Sequence, residues 1–370
     1  MKHKFLLMFV AACLAVAFVC GCSANKVAAK VGDRTVTLKD VENAYLNYIN
    51  QYGAYLSVDD DAARKTVVDS AVDMVIESEM GLYQAELAGI TLTDEEVAQA
   101  KADAESDYEE TFNTYLEYAE SSGGSDVRAT ANKYFTSMLT ENGFTISTYK
   151  DKLFESEKSS RISEKFQNQI FSEADVSEEA LRTAYDSEME NEKAAFDAAN
   201  SDFFTYLNYN VYGYTCHPVY IPAGMVRAKV IIVSDASMAD NIMSQLNEGA
   251  DFDELYALYN EEVLFDDPMF EDGYLFCEGC SFDQQLTDSI LALQDGEFTQ
   301  VSMADGCCAV AQRIRTEDAF AYEYEDMIDT VRSYLISYIQ STYYSEKMSA
   351  WCSDDSLVTK YESVYANVGK

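Results

Sequence analysis

Val226-Arg-Ala-Lys-Val-Ile-Ile-Val233 opens the stretch that decides how this chain is read. Its β-branched residues read as a strand. Met238, Ile242 and Leu246 then recur at helical spacing, and Gly249 stops that helix. Asp251 and Glu254 form an Asp-x-x-Glu cap for a second helix that carries Phe252, Leu255, Tyr256 and Tyr259 on one face. After an acidic loop come Gly273-Tyr-Leu-Phe276 and Cys277-Glu-Gly-Cys280. A short helix around Asp283 to Leu293 leads through Gly296 to closing strands near Val301 and from Cys307 to Arg315. The predicted order is strand, helix, helix, strand, helix, strand, strand.

On its N-terminal side the pattern is mostly helical. Val27-Ala-Ala-Lys-Val31 and Thr35-Val-Thr-Leu38 flank Gly32-Asp33, which predicts a hairpin. Helices are expected from Lys39 to about Tyr55, from Ala62 to Ala88, and from the Thr93-Asp-Glu-Glu96 capping box past Tyr118. A loop around Gly123-Gly124 precedes further helices at Val127–Thr140, Ser147–Phe171 and Ser177–Asn200. The segment from Phe203 to Met225 holds five tyrosines and two of the three prolines, and reads as an extended connector. Helical pattern resumes from Ala319 to about Met348, and a short last helix is expected from Leu357 to Ala366.

With 26 basic and 65 acidic residues the net charge is −39, which argues against nucleic acid and against adhesion to anionic lipid headgroups. Lys2 and Lys4 precede an apolar run from Phe5 to Val19, the form of an export signal. Val19-Cys-Gly-Cys22 resembles a bacterial lipoprotein box, which would make Cys22 the acylated first mature residue. Cys216, Cys277, Cys280, Cys307, Cys308 and Cys352 then remain. Exported context permits disulfides, but a chain of 370 residues does not need them to fold. Adjacent strand residues point to opposite faces, so Cys307 and Cys308 could not both join Cys277 and Cys280 around zinc. No metal or cofactor is expected; whether the thiols are free or bridged stays open.

Four blocks resemble the parvulin-type peptidyl-prolyl isomerases: residues 226–233, Gly249-Ala-Asp-Phe-Asp-Glu-Leu255, Ala292-Leu-Gln-Asp-Gly-Glu-Phe298 and Asp305-Gly-Cys-Cys-Ala-Val-Ala-Gln-Arg-Ile314. Upstream, Val31-Gly-Asp-Arg-Thr-Val-Thr37, Ala88-Gly-Ile-Thr-Leu-Thr-Asp-Glu-Glu-Val97 and Asn142-Gly-Phe-Thr-Ile-Ser-Thr-Tyr149 resemble the chaperone domain of PrsA-like and SurA-like foldases. The resemblance implies an α+β protein: a largely helical chaperone domain completed by C-terminal helices, with an inserted α/β parvulin-like domain. The expected segments are a signal peptide (1–21), a helical domain (22–202), a connector (203–225), a parvulin-like domain (226–316) and C-terminal helices (317–370) packing back on the chaperone domain.

In that family two interior histidines adjoin a cysteine or aspartate beside an apolar pocket. On this chain the histidine positions fall on Val230 and Cys308, the acidic position on Glu262 (Glu261 if the loop shifts by one), and the pocket pair on Phe282 and Leu286. His3 would leave with the signal, so His217 is the one histidine of the mature chain, and a histidine pair cannot form. The same count removes two-histidine zinc sites and leaves a His-dependent hydrolase only His217, beside Pro218 in the connector. The loop Ser234-Asp-Ala-Ser237 is acidic and neutral, so phosphate recognition is not expected.

The expected protein is therefore a foldase fixed by lipid to the outer face of the cell membrane, with weak or no isomerase activity and unfolded or newly secreted polypeptides as partners. The alternative is a lipid-anchored binding or surface-assembly protein with one dedicated partner. Connector tyrosines such as Tyr206, Tyr209, Tyr212 and Tyr214 are candidates for peptide contact, the other tyrosines for packing. If Cys22 bears two acyl chains, Cys22→Ala should abolish fatty-acid labelling and release the protein from the membrane fraction or block its processing. An unmodified mature N-terminus elsewhere, seen by mass spectrometry, would rule the anchor out.

Overall fold

The computed structural model describes residues 26–52, 60–122, 126–207, 210–211, 214–215, 217–264, 268–304 and 306–370. The expected signal and Cys22, the Gly123-Gly124 loop, and connector residues Tyr209, Tyr212 and Cys216 lie outside them. The fold is α+β, and it divides into two compact units, one of residues up to Ala174 with Ser341–Lys370, the other Asp175–Gln340. Among the described residues no helix is long and apolar enough to cross a membrane.

The first unit begins with the expected hairpin, β1 (Val27–Val31) and β2 (Arg34–Thr37). Its helices are α1 (Leu38–Tyr52), α2 (Asp61–Leu87), α3 (Asp94–Ser121), α4 (Val127–Glu141) and α5 (Ile146–Glu173). Local signals set their starts. Asp60 accepts from Ala63 N at 2.7 Å, and Thr93 and Glu96 close a reciprocal box. The Glu96 carboxylate also takes Lys165 at 2.9 Å, and these bonds hold its pKa down to about 2. Further along the same pair of helices, Arg161 of α5 bridges to Asp103 of α3. Phe135 of α4 lies at the centre of Tyr108, Phe112, Tyr115 and Tyr149, ring centroids 5.4–6.1 Å away. Those tyrosines pack the core rather than line a groove.

The C-terminus completes this unit. Val358–Lys360 forms a strand, β11, antiparallel to β1, so the sheet order is β11-β1-β2. Arg64, buried in α2, donates to Val368 O at 2.8 Å. The expected helix from Leu357 to Ala366 is thus corrected to a strand followed by one helical turn at Glu362–Tyr365. Val358 sits opposite Val31, and that pairing overrides local propensity.

The second unit holds α6 (Glu178–Ala198), α7 (Asp202–Leu207), short strands β3 (Asn210–Val211), β4 (Tyr214–Thr215) and β5 (Tyr220–Ile221), and then β6 (Val226–Val233). After α8 (Ala236–Asn247), α9 (Phe252–Tyr259) and a helical turn at Pro268–Phe270 come β7 (Tyr274–Phe276), α10 (Gln284–Leu291), β8 (Phe298–Ser302), β9 (Cys308–Thr316) and β10 (Phe320–Ala321). The long α11 (Tyr324–Cys352) supplies Tyr324, Ile328, Val331 and Leu335 to this unit and Met348 to the other. The segment read as an extended connector is corrected at its start. Phe203, Phe204 and Leu207 are buried at helical spacing, so α7 forms there.

The sheet is antiparallel throughout, in the order β7-β6-β9-β8. Strand alternation gives β6 two buried faces. Val226, Ala228, Val230 and Ile232 join one core with Phe276, Leu286, Ile290 and Ala309, while Ile231 and Val233 join another with Ile242, Leu246, Phe252 and Val310. Gly273 lets the chain pass tightly over β6: its φ is +115°, and a Cβ there would meet Ala228 O at 2.8 Å.

Glu192 ties α6 to β5. Its Oε2 accepts from Val219 N at 2.7 Å and Tyr220 N at 2.9 Å, while Oε1 has no partner among the described residues. Burial raises its pKa to about 9, and the neighbouring Glu188 adds to the rise. The folded state therefore holds a proton that the unfolded chain releases near the ordinary value of 4.5. This contribution to stability is full below that value and lost as pH rises through about 9. Glu192→Gln keeps the acceptor and removes the charge. It should raise the melting temperature at pH 8 by roughly 2–4 °C and change it little at pH 5. Equal shifts at both pH values in calorimetry would contradict this linkage.

Candidate functional site

The positions that the family pattern singles out lie on or beside the β6–β9 sheet. Val230 is 1% exposed and packs with Leu286 and the partly buried Phe282. Phe282 in turn meets the rings of Phe204, Tyr274 and Phe276, at centroid distances of 5.0–6.1 Å. These three residues are brought together, but as a closed apolar core.

Cys308 is not with them. It pairs with Val233 at the far end of β6 and is buried in the opposite core with Ile231 and Val310. The residue on the face of Phe282 and Leu286 is Cys307, whose carbonyl accepts from Met303 N at 2.8 Å. One residue of register exchanges the faces, so the expected grouping of Phe282, Leu286 and Cys308 in one pocket is corrected. Glu262 is exposed, and its carbonyl accepts from Asn260 Nδ2 at 2.8 Å. The neighbouring Glu261 takes Ser234 N at 2.7 Å. Both acids lie at the loop after α9, where Asn260 also caps Ile232 N at 2.7 Å.

Cys277 and Cys280 bracket a turn with Gly279 at φ +78° and are buried and unbridged, as are Cys307, Cys308 and Cys352 at various depths. Burial pushes the Cys277 thiol up to about 12, with Cys280 adding to the effect, so this thiol is held in its unreactive form. Cys280 Sγ lies 3.3 Å from Thr287 Oγ1. The pair is a core feature.

Local pattern does not reveal a further opening in this unit. A cleft of about 730 Å³ lies where β6 begins and β9 ends, within the size range of ligand sites. Its inner wall carries Arg227 and Arg315, both bound to Glu317. Arg227 also donates to Gly273 O at 2.8 Å, which leaves this buried cation well satisfied. Glu317 is held below the usual carboxylate range by these two guanidinium groups, against the opposing effect of its burial. His217 lines the cleft together with Ile221, Met269 and Thr330. Phe320 and Tyr322 stand edge to face, 4.8 Å apart, along its outer side. Arg227 and Arg315 face each other across the β6–β9 pairing, and the β5–β10 pairing, in which Phe320 faces Ile221 and Ala321 faces Tyr220, adds the aromatic side.

Comparison with known proteins bears on the other end of the chain. Residues 1–122 match the family described as the SurA-like N-terminal domain. No curated protein matches the chain. Among solved structures, a SurA-like chaperone from Campylobacter jejuni is 13% identical, covers 91% of this chain and 99% of its own, and superposes with a TM-score of 0.30. PrsA from Bacillus subtilis is 15% identical, with coverages of 90% and 93% and a TM-score of 0.22. The foldase protein PrsA from Streptococcus pneumoniae is 14% identical, with coverages of 81% and 94% and a TM-score of 0.23. The similarity to the SurA-like N-terminal domain thus covers residues 1–122, about a third of the chain.

Proposed function

We propose that this chain is an extracytoplasmic, lipid-anchored chaperone of the PrsA-like and SurA-like kind that holds unfolded secreted polypeptides and has little or no prolyl isomerase activity. The SurA-like N-terminal domain in residues 1–122 carries this reading. The basic head, apolar run and Val19-Cys-Gly-Cys22 box support export and anchoring through lipid at Cys22. The charge of −39 favours basic clients during encounter and disfavours nucleic acid. Screening limits that reach to about 8 Å at physiological ionic strength, so charge speeds capture more than it tightens holding.

Against isomerase activity stands a simple energetic demand. Twisting a prolyl amide costs roughly 20 kcal/mol, and a thousandfold acceleration requires about 4 kcal/mol of selective stabilisation. Val230 offers no hydrogen bond and is sealed in the core. Phe282 and Leu286 are engaged with neighbouring side chains, and Glu262 lies in solvent.

Two assays on the full mature chain without its lipid test the proposal together. It should delay aggregation of an unfolded secreted protein, while turnover in a protease-coupled prolyl assay stays near background. Val230→His with Cys308→His should not restore turnover, because the two imidazoles would lie on opposite faces of the sheet. The double substitution should instead lower the melting temperature, since each buries a polar ring among apolar groups. Turnover matching a histidine-bearing parvulin in the unaltered chain would overturn the inactive reading, and an absence of protection for any client would overturn the chaperone reading.

A further inference from the structure

We propose that the cleft between the start of β6 and the β5–β10 ribbon binds extended peptide segments in which a lysine or arginine adjoins a large apolar side chain. This rests on the reading of the chain as a binder of unfolded polypeptide and names the segment it selects. Three features of the cleft converge on that ligand.

The first is charge. Arg227 is buried and Arg315 about half exposed, and both bind Glu317, so the lining carboxylates outnumber the cations. Glu271, Asp272, Asp318 and Asp326 also line the cleft, and among the described residues none of them has an ion-pair partner within 4 Å. The field inside is therefore negative, and the group that complements it is a cation. The second is the apolar wall. Phe320 is 52% exposed despite its size, held edge-on against Tyr322, and Met269 and Met327 continue that surface. Aromatic faces beside carboxylates suit the alkyl stem and charged head of lysine or arginine together with a neighbouring apolar side chain. The third is the backbone. Among the described residues β10 pairs only with β5, and its exposed residues Phe320 and Ala321 offer a strand edge that an extended segment can extend.

A second copy of this chain is a poor occupant, because at −39 each copy repels the other and brings few cations to the site. A basic, unfolded segment has neither handicap.

The test uses the full mature chain without its lipid and a synthetic peptide of alternating lysine and phenylalanine carrying a photoreactive group, with a glutamate-for-lysine peptide of the same length beside it. The basic peptide should bind, weaken about tenfold or more between low and high salt, and crosslink to residues 269–272 or 317–327. Phe320→Ser, at an exposed site, and Asp272→Asn with Asp318→Asn and Asp326→Asn should each reduce affinity at least fivefold with unchanged melting temperatures. The triple variant should also flatten the salt dependence. Equal binding of the acidic peptide, crosslinks confined to other segments, or full affinity in both variants would overturn the assignment. Concentration-dependent dimerisation lost on Phe320→Ser would overturn it in favour of self-association. Client protection by a chain that does not bind the peptide would remove the cleft and leave the chaperone reading standing. Peptide binding by a chain that protects no client would do the reverse.

Discussion

The burial of strand β6 on both faces constrains everything else in the second unit. It is hydrogen-bonded to β7 on one edge and β9 on the other, and its alternate residues enter two separate apolar cores. Both edges are paired over Val226–Ala228, and beyond Lys229 both faces are buried. Each of Val230, Ile231, Ile232 and Val233 is 2% exposed or less. Full burial of such a side chain contributes roughly 1.5–3 kcal/mol, so a polar residue here would lose that term and bear its own desolvation as well. Catalytic groups would need room on one of these faces, and the room is filled by Leu286, Ile290 and Phe276 on one side and by Ile242 and Phe252 on the other.

The same sheet explains where polar chemistry can sit. At the end where β6 begins, the bulge between Arg227 and Ala228 and the tight passage of Gly273 turn a guanidinium inward, and Glu317 neutralises it. Beyond that buried pair the chain is open, acidic and aromatic. Open, polar space in this unit therefore lies at the strand ends rather than at the centre of the sheet. Glu192, holding the amide groups that start β5, belongs to the same region and couples the position of the ribbon to α6.

Much of the fold was legible because its signals are local. The capping box at Thr93, the N-cap at Asp251 and the periodicity of α8 placed those helices within a residue or two of where they lie. The α7 helix was missed because Phe203 and Phe204 sit among tyrosines and prolines that suggest extended chain. β11 was missed because a strand of three residues exists only by pairing with β1, more than 300 residues earlier in the chain. Site residues fared less evenly. Val230, Phe282 and Leu286 do meet, whereas the face of Cys308 depends on register that spacing cannot fix to one residue. The cleft had no local signal at all, since its walls run from His217 to Thr330 and are joined by the β6–β9 and β5–β10 pairings.

The closed sheet is the central claim, and the thiols within it report on it directly. Native protein should be exposed to a small alkylating reagent for increasing times, quenched, and the cysteines mapped by tandem mass spectrometry. Cys308 is 4% exposed and Cys277 is 5% exposed, so both should label only at the rate of global unfolding, far behind the half-buried Cys352. Rapid labelling of Cys308 in the folded protein, at a rate near that of a free thiol, would mean that an open groove lies at this position and would contradict the account.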